Sequence, residues 1–283
     1  LRNYSFDVIA RATNDLTSNI SLTSTVGWSI NDRKYNRNSG SVTGFLVNST
    51  KQTTSLNTSA EATAFENYRT FRKSNRGYAV FNLDMFDQLY IAMSGGLEAS
   101  STIKGSFFYP SIDAAWNFTN TLGSSALSFG KLRATWGKVG VQPSAHQFQT
   151  LAEGGFSYST YSDPISIDSF GGGYRLDNNL GNPNLEPEVK TEWEIGTDLR
   201  FLNDDLRFSM TYYSNEIDGI LLDVNLSPSS GFSTQYGNFG SMTNNGLEID
   251  LGWNAIKSGD LNLDASLNWS KNTNEVTDLF GTE

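Results

Sequence analysis

Leu261-Asn262-Leu263-Asp264-Ala265-Ser266-Leu267-Asn268-Trp269-Ser270 alternates apolar and polar side chains residue for residue. Successive side chains of an extended backbone point to opposite faces, so this stretch shows one face to something apolar and the other to water. The same rhythm sets Leu206, Phe208, Met210 and Tyr212 against Arg207, Ser209, Thr211 and Tyr213. It also sets Ile20, Leu22, Val26, Trp28 and Ile30 against Ser21, Thr23, Thr25, Gly27 and Ser29. These runs reach about ten residues or more, beyond the usual strand of about five or six and near the length of a tilted strand that crosses a membrane. Length and alternation together predict the wall of a membrane β-barrel.

Composition agrees with such a wall. Hydrophobic residues make up 37% of the 283 residues and Gly numbers 26, whereas a soluble core of this size draws on more Leu, Ile and Val. A wall whose inner face is polar needs apolar side chains only at alternate positions. The net charge of -10 and a pI near 4.6 leave no broad basic surface, which disfavours nucleic acid as a partner. With no Cys in the chain, disulfides, thiolate metal sites and Cys nucleophiles are excluded. No run of eighteen apolar residues occurs, so a transmembrane helix is not expected, and barrel strands give a far weaker hydropathy signal. The start at Leu1 carries neither Met nor an apolar leader, and 280–283 does not read as a closing strand. The expectation is an internal piece of a longer chain, spanning 1–283 as one partial barrel domain.

The pattern predicts strands over 3–13, 17–31, 77–86, 89–99, 109–119, 127–138, 188–202, 206–216, 241–255 and 261–272. Short turns rich in Asn, Asp, Gly or Ser are expected at 14–16, 87–88, 203–205 and 257–260. Long polar connections are expected at 32–76, 100–108, 140–187 and 218–240. Short and long connections alternate, as they do when every second one lies on the same side of a membrane. A soluble sandwich also tolerates long loops, but strict alternation over about ten strands is unusual for one. Two irregularities stand out. Apolar parity shifts between Leu127 and Phe129 on one side and Leu132, Ala134 and Trp136 on the other, which predicts a bulge or a turn reaching Gly130. Residues 59–75 are compatible with a short helix in a loop, and their Arg69, Arg72 and Lys73, with Arg76 beyond, read as a solvated basic face.

Catalytic and metal chemistry finds little support. The sole histidine, His146, has no Cys companion and lies in a loop segment. Gly171-Gly172-Gly173 lacks the Lys-Ser/Thr of a phosphate loop, and Asp163, Asp168 and Asp177 lack calcium-loop spacing. Glu192, Glu194, Asp198, Glu248, Asp250 and Asp264 fall on the polar face of strands, where lumen-facing charge accounts for them. No enzyme, metal or cofactor is expected. Trp116, Trp136, Trp193, Trp253 and Trp269 fall on the apolar parity, as lipid-facing or interfacial aromatics do. Tyr158, Tyr161, Phe170, Tyr174 and Tyr236 lie in long connections and are candidate stacking platforms for a substrate at the mouth.

Three stretches carry a family resemblance. Phe108-Tyr109-Pro110-Ser111-Ile112-Asp113-Ala114-Ala115-Trp116, followed by Gly130-Lys131-Leu132-Arg133-Ala134-Thr135-Trp136-Gly137, is the first. Gly181-Asn182-Pro183-Asn184-Leu185-Glu186-Pro187-Glu188 is the second. The third is Tyr236-Gly237-Asn238-Phe239-Gly240-Ser241-Met242-Thr243-Asn244-Asn245-Gly246-Leu247-Glu248. In this order they resemble the SusC/RagA-like TonB-dependent outer-membrane transporters of the Bacteroidetes. Within these stretches Gly181, Asn182, Pro183, Leu185, Glu186, Asn238, Gly240, Asn244, Gly246 and Glu248 are the matching positions. The resemblance implies an all-β, antiparallel, 22-stranded barrel in the outer membrane, closed by an N-terminal plug for which this chain shows no counterpart. It implies a SusD-like lipoprotein lid, coupling to TonB-ExbB-ExbD through the plug, and an oligosaccharide or peptide as cargo. The alternatives are a porin-like passive channel and a non-membrane β-rich adhesin.

Overall fold

In a bilayer no water is present to satisfy backbone N–H and C=O groups, so extended segments must pair edge to edge along their whole length. The computed structural model describes residues 1–41, 64–122, 127–154 and 174–279 of this chain and shows that pairing. In chain order the strands are β1 (Arg2–Thr17), β2 (Ile20–Ser41), β3 (Ala64–Met85), β4 (Leu89–Ser100), β5 (Ser106–Asn117), β6 (Leu127–Val141), the short β7 (Ala152–Gly154), β8 (Tyr174–Leu176) and β9 (Asn179–Leu180), then β10 (Glu188–Phe201), β11 (Leu206–Asn225), β12 (Thr234–Ser258) and β13 (Leu261–Leu279). The ten long strands form one antiparallel sheet in the order β1-β2-β3-β4-β5-β6-β10-β11-β12-β13. It is an open wall with β1 and β13 at its edges. One turn of helix, α1 (Thr119–Leu122), and a 3₁₀ turn at Pro228–Ser230 complete the regular structure among the described residues.

Register carries the alternation of single strands into a continuous apolar band. Ile195 faces Tyr212, Tyr212 faces Leu247, Phe208 faces Leu251, and Leu251 faces Leu267. On the other half of the wall Val8 faces Trp28, Leu22 faces Leu83, Leu83 faces Ile91, and Met93 faces Ile112. These side chains are open on the outer surface, Ile195 at 56% and Leu267 at 61% exposure. The five expected Trp side chains lie on the same face at 37–50% exposure, Trp136 directly opposite Trp193. From Ile20 to Ile30 the band spans roughly 33 Å of strand, or roughly 25 Å of height at the tilt of membrane strands. Since both faces meet a medium rather than a second layer, no interior core forms. Among the described residues, the one buried hydrophobic side chain is Leu185, in the long connection before β10.

The strands outrun the band on one side, and this corrects several expectations. The connection expected over 32–76 narrows, since β2 continues to Ser41 and β3 begins at Ala64. The short helix expected over 59–75 is strand from Ala64 onward; 59–63 lie outside the described residues. Every residue from Ser41 back to Ile20 pairs in register with Ala64 to Met85. Above the bilayer neither face must be apolar, so alternation fades while backbone pairing persists. Arg72 and Arg76 therefore share one face, and Arg69 and Lys73 the other. The connection expected over 218–240 likewise shrinks, since β11 ends at Asn225 and β12 starts at Thr234. The connections expected over 100–108 and 140–187 hold the start of β5 and the short strands β7 to β9.

At the opposite edge the connections are tight. The first turn is at Ser18-Asn19 rather than 14–16. Asn14 and Asp15 remain in the ladder opposite Leu22 and Ser21, and Leu16 is bulged. The Thr17 hydroxyl accepts the Asn19 N–H at 3.3 Å. At the next turn Phe86 and Asp87 both take positive φ, 60° and 54°, and the Gln88 N–H closes on the Met85 carbonyl at 3.1 Å. Both central residues at positive φ match the right-handed twist of the flanking strands. A bulge is present in β6 but lies earlier than the parity shift: Arg200 faces Phe129 while Phe201 faces Leu127, which returns Leu127 to the outer face and leaves Phe129 on the inner face beside Lys131. The extra residue, Ser128, accepts the Asp204 N–H at 3.1 Å, binding the bulge to the neighbouring turn.

Candidate functional site

The second face of the wall is polar and concave. Its recesses bring together side chains of one parity from successive strands, such as Lys131, Asp198, Arg207, Ser209, Asp250 and Asn268. Ser209 donates to the Asp198 carboxylate at 2.7 Å, and Arg133 lies 3.8 Å from it. Asn215 donates to Glu192 at 3.2 Å. Glu98 receives the Tyr109 hydroxyl at 2.9 Å and the Gln142 amide at 2.5 Å. The carboxylates Glu192 and Asp198 on β10 and Glu248 and Asp250 on β12 are separated by β11, not assembled as a pair around one reacting position. His146 sits in the loop at φ 69°, and no group of metal-binding side chains occurs among the described residues.

A repeated device shapes this inner surface. Tyr213 faces Gly246, and Gly246 faces Asn272 on the next strand. The Tyr213 ring lies flat over the glycine, and its hydroxyl donates to Asn272 at 3.2 Å. A β-carbon on Gly246 would fall 2.2 Å from the ring. Arg133 crosses Gly196 in the same way to hydrogen-bond Thr211, and Tyr78 covers Gly27. The residue opposite each long side chain has no side chain of its own, so the long one lies along the wall instead of projecting from it.

At the outer edge, the long connection before β10 is fastened to the ends of β11 and β12. Gly181 passes so close to the backbone of Gln149 and Thr150 that an added β-carbon would sit 2.2 Å from the Gln149 carbonyl carbon. Its N–H donates to the Thr150 hydroxyl at 3.0 Å, and the Asn182 N–H to the Gln147 carbonyl at 3.0 Å. The Asn182 side chain then accepts the Asn184 N–H at 3.0 Å, an Asx turn that brings Leu185 into its buried position. Fifty-two residues further on, Asn238 binds both backbone groups of Glu186: its amide oxygen accepts the N–H at 3.0 Å and its amide nitrogen donates to the C=O at 3.0 Å. The same nitrogen donates to the Gly219 carbonyl at 2.8 Å. Gly219 is bulged at φ 64°, and the displaced Leu221 N–H is taken by the Glu188 carboxylate at 3.3 Å. Two residues of β9 add parallel pairing to Thr234 and Gln235.

The matching positions of the sequence thus fall into two groups. Gly181, Asn182, Pro183, Leu185 and Glu186 meet Asn238 in this clasp, while Gly240 is buried just below it. Asn244, Gly246 and Glu248 descend the inner face of β12, opposite Asn215, Tyr213 and Thr211. Of the loop aromatics, Tyr158, Tyr161 and Phe170 lie outside the described residues, and Tyr174 opens β8. Tyr236 is half-buried opposite Asp223. Burial above all pushes its phenol above the usual range, opposed by a hydrogen bond with Ser144 and reinforced by the carboxylates of Asp223 and Glu188. The residues that sequence reading did not single out, Gly219, Tyr213 and Arg133, owe their roles to cross-strand register, which a single strand does not display.

A family model described as TonB dependent receptor-like, beta-barrel, matches residues 2–282. TonB-dependent receptor P26 of Formosa agariphila is 29% identical over 206 residues, covering 70% of this chain and 20% of that protein. TonB-dependent receptor SusC of Bacteroides thetaiotaomicron is 30% identical over 181 residues, 61% of this chain and 17% of that protein. The chain thus spans about a fifth of the length of these curated relatives. Among solved structures, the RagAB peptide transporter superposes over 99% of this chain and 30% of its own, with a TM-score of 0.82 at 23% identity. The siderophore receptor PirA from Pseudomonas aeruginosa superposes over 97% and 43%, with a TM-score of 0.58 at 16% identity. Matched along nearly its whole length, the chain belongs to the TonB-dependent receptor family, as part of an outer-membrane β-barrel similar in sequence to SusC and in fold to RagAB.

Proposed function

We propose that this chain forms wall and mouth of an active importer that brings an oligosaccharide or peptide across the outer membrane. The observation that carries the reading is the clasp. A long outer connection of a passive pore has no need to be fixed, whereas a mouth that captures a large solute must hold its recognition loops in place. Here Asn238 and β9 hold that connection to the ends of β11 and β12. The likeness to SusC and to a structure named as a peptide transporter supports the same class of cargo. In this reading Tyr158, Tyr161, Phe170, Tyr174 and Tyr236 offer ring faces on which sugar rings or peptide side chains stack. A SusD-like lipoprotein closes over the mouth, and TonB-ExbB-ExbD displaces a plug inside the full barrel to let the captured solute through. The wall contributes rigidity, since its backbone groups are paired within the sheet.

Uptake by cells carrying the full-length transporter tests this, measured with oligosaccharide and peptide mixtures in the presence and absence of TonB. The expected result is uptake of one class that stops when TonB is removed. Equal uptake without TonB would assign the chain to a passive channel instead.

A further inference from the structure

The inner face of the wall contains one recess whose chemistry differs from the rest. Across β1, β2 and β3 the register sets Asn3 opposite Arg33 and Arg33 opposite Arg72, and in the adjoining row Ser5 opposite Asn31 and Asn31 opposite Ser74. These six residues, with Tyr4 and Asp32, line a concavity of about 450 Å³. Two guanidinium groups therefore stand on directly paired positions, an arrangement that like charge disfavours. A second such pair on the inner face, Arg200 opposite Arg207, is partnered, Arg200 by Asp204 at 3.9 Å and Arg207 by the Asn254 amide oxygen, just as Arg133 is matched by Asp198 and Lys190 by Glu192. Arg33 and Arg72 have neither a hydrogen bond nor an ion pair among the described residues. The carboxylates nearby are committed or displaced. Asp32 borders the recess but has the opposite parity along β2, and it pairs with Lys34 at 3.6 Å. Glu98 is engaged by Tyr109 and Gln142. Asp7 lies two rows lower, opposite Ser29, whose other neighbour is Arg76. Apart from Asp32 at its border, which is held by Lys34, the recess offers the two arginines hydroxyl and amide groups, which donate hydrogen bonds and carry no competing charge.

We infer that this recess is an anion-binding site, in which Arg33 and Arg72 together take a sulfate or carboxylate group borne by the imported oligomer. Position supports it. Arg33 lies three residues beyond Ile30, about 10 Å along the strand past the apolar band, on the lumen side at the level of the mouth. Paired guanidinium forks bind such oxyanions through parallel N–H bonds, and the bound anion relieves the repulsion between them. In a chain of net charge -10, a local cationic recess also draws an anionic group out of an otherwise repelling field. The site rests on the import reading for its cargo, though not for its anion chemistry.

The test uses the complete transporter with its plug, purified in detergent, and selenate as an anomalous-scattering probe. The expected result is selenate density between the Arg33 and Arg72 guanidinium groups, displaced by excess glucose 6-sulfate or glucuronate. Arg33→Gln with Arg72→Gln is expected to lower selenate affinity by at least about tenfold while leaving thermal unfolding unchanged or raised, because a repelling pair has been removed. Three results would overturn the site: a carboxylate from the plug or an adjoining strand seated between the arginines, selenate density that persists in the double variant, or selenate that neither sugar acid displaces. Loss of TonB dependence in the uptake assay would refute the import reading and leave the selenate result standing, so the two failures are distinguishable.

Discussion

Asn238→Ala isolates the outer clasp. The substitution removes three hydrogen bonds at once, those to the Glu186 N–H and C=O and to the Gly219 carbonyl. Each neutral bond contributes about 0.5–1.5 kcal/mol. The two to Glu186 are exposed enough for water to replace them in part, while the one to Gly219 is half-buried. The net loss is therefore about 1–3 kcal/mol, which raises the population of the open clasp by roughly 5- to 150-fold. Hydrogen exchange of the full-length transporter in detergent reads this directly. Peptides covering 181–188 are expected to exchange faster by that factor, while those covering 193–199, paired on both sides by β6 and β11, stay unchanged. Asn238→Asp keeps the acceptor but presents a carboxylate to two carbonyls, so it is expected to open the clasp at least as far. Unchanged exchange at 181–188 in both variants, or an equal rise over the whole wall, would refute the argument that Asn238 fixes this connection.

Further outcomes follow from the two faces of the wall. Gly246→Val is expected to destabilise the barrel by about 1–3 kcal/mol, since Tyr213 must leave its place; in urea unfolding from lipid vesicles, Tyr213→Ser in the same protein restores most of the loss. Leu251→Arg, in the middle of the apolar band between Phe208 and Leu267, is expected to cost about 2–4 kcal/mol in the same assay, and a loss near zero would mean that this face does not meet lipid. The Tyr236 phenol is raised by burial, so the contact is complete below the ordinary tyrosine pKa and weakens as pH climbs through the raised value. The ultraviolet difference between wild type and Tyr236→Phe is expected to titrate above the ordinary phenol, and an ordinary midpoint would contradict the burial.

Within the bilayer the sequence was legible because lipid enforces the pattern. Leu206 to Tyr212 and Leu261 to Trp269 alternate since every second side chain must be apolar; in β6 the Ser128 bulge returns Leu127 to that pattern, while Phe129 is an apolar residue on the inner face that parity alone misplaces. Past the band that constraint ends. The paired lengths of β2 and β3 from residue 32 to 41 and from 64 to 76 carry Arg, Asn, Ser and Tyr on either face, which reads as loop. Asn14 and Asp15 misled for a related reason: turn-forming residues are tolerated in a strand end where one face is wet. The matching positions located the clasp but not its workings, since the Asn238 partner lies 52 residues away. Likewise Arg33 and Arg72 become neighbours only through pairing across a connection of more than twenty residues.

The glycines that lie beneath Tyr213, Arg133 and Tyr78 give the passage an unusual finish. Long side chains that would otherwise stand as bristles are laid down like tiles, so clearance depends on the thickness of a ring or guanidinium plane, not on the reach of the whole side chain. Whatever slides past meets flat π-surfaces and sideways-turned charges with few tips to snag on. A single methyl group added at such a recess would raise one tile and narrow the bore by far more than the volume of that methyl.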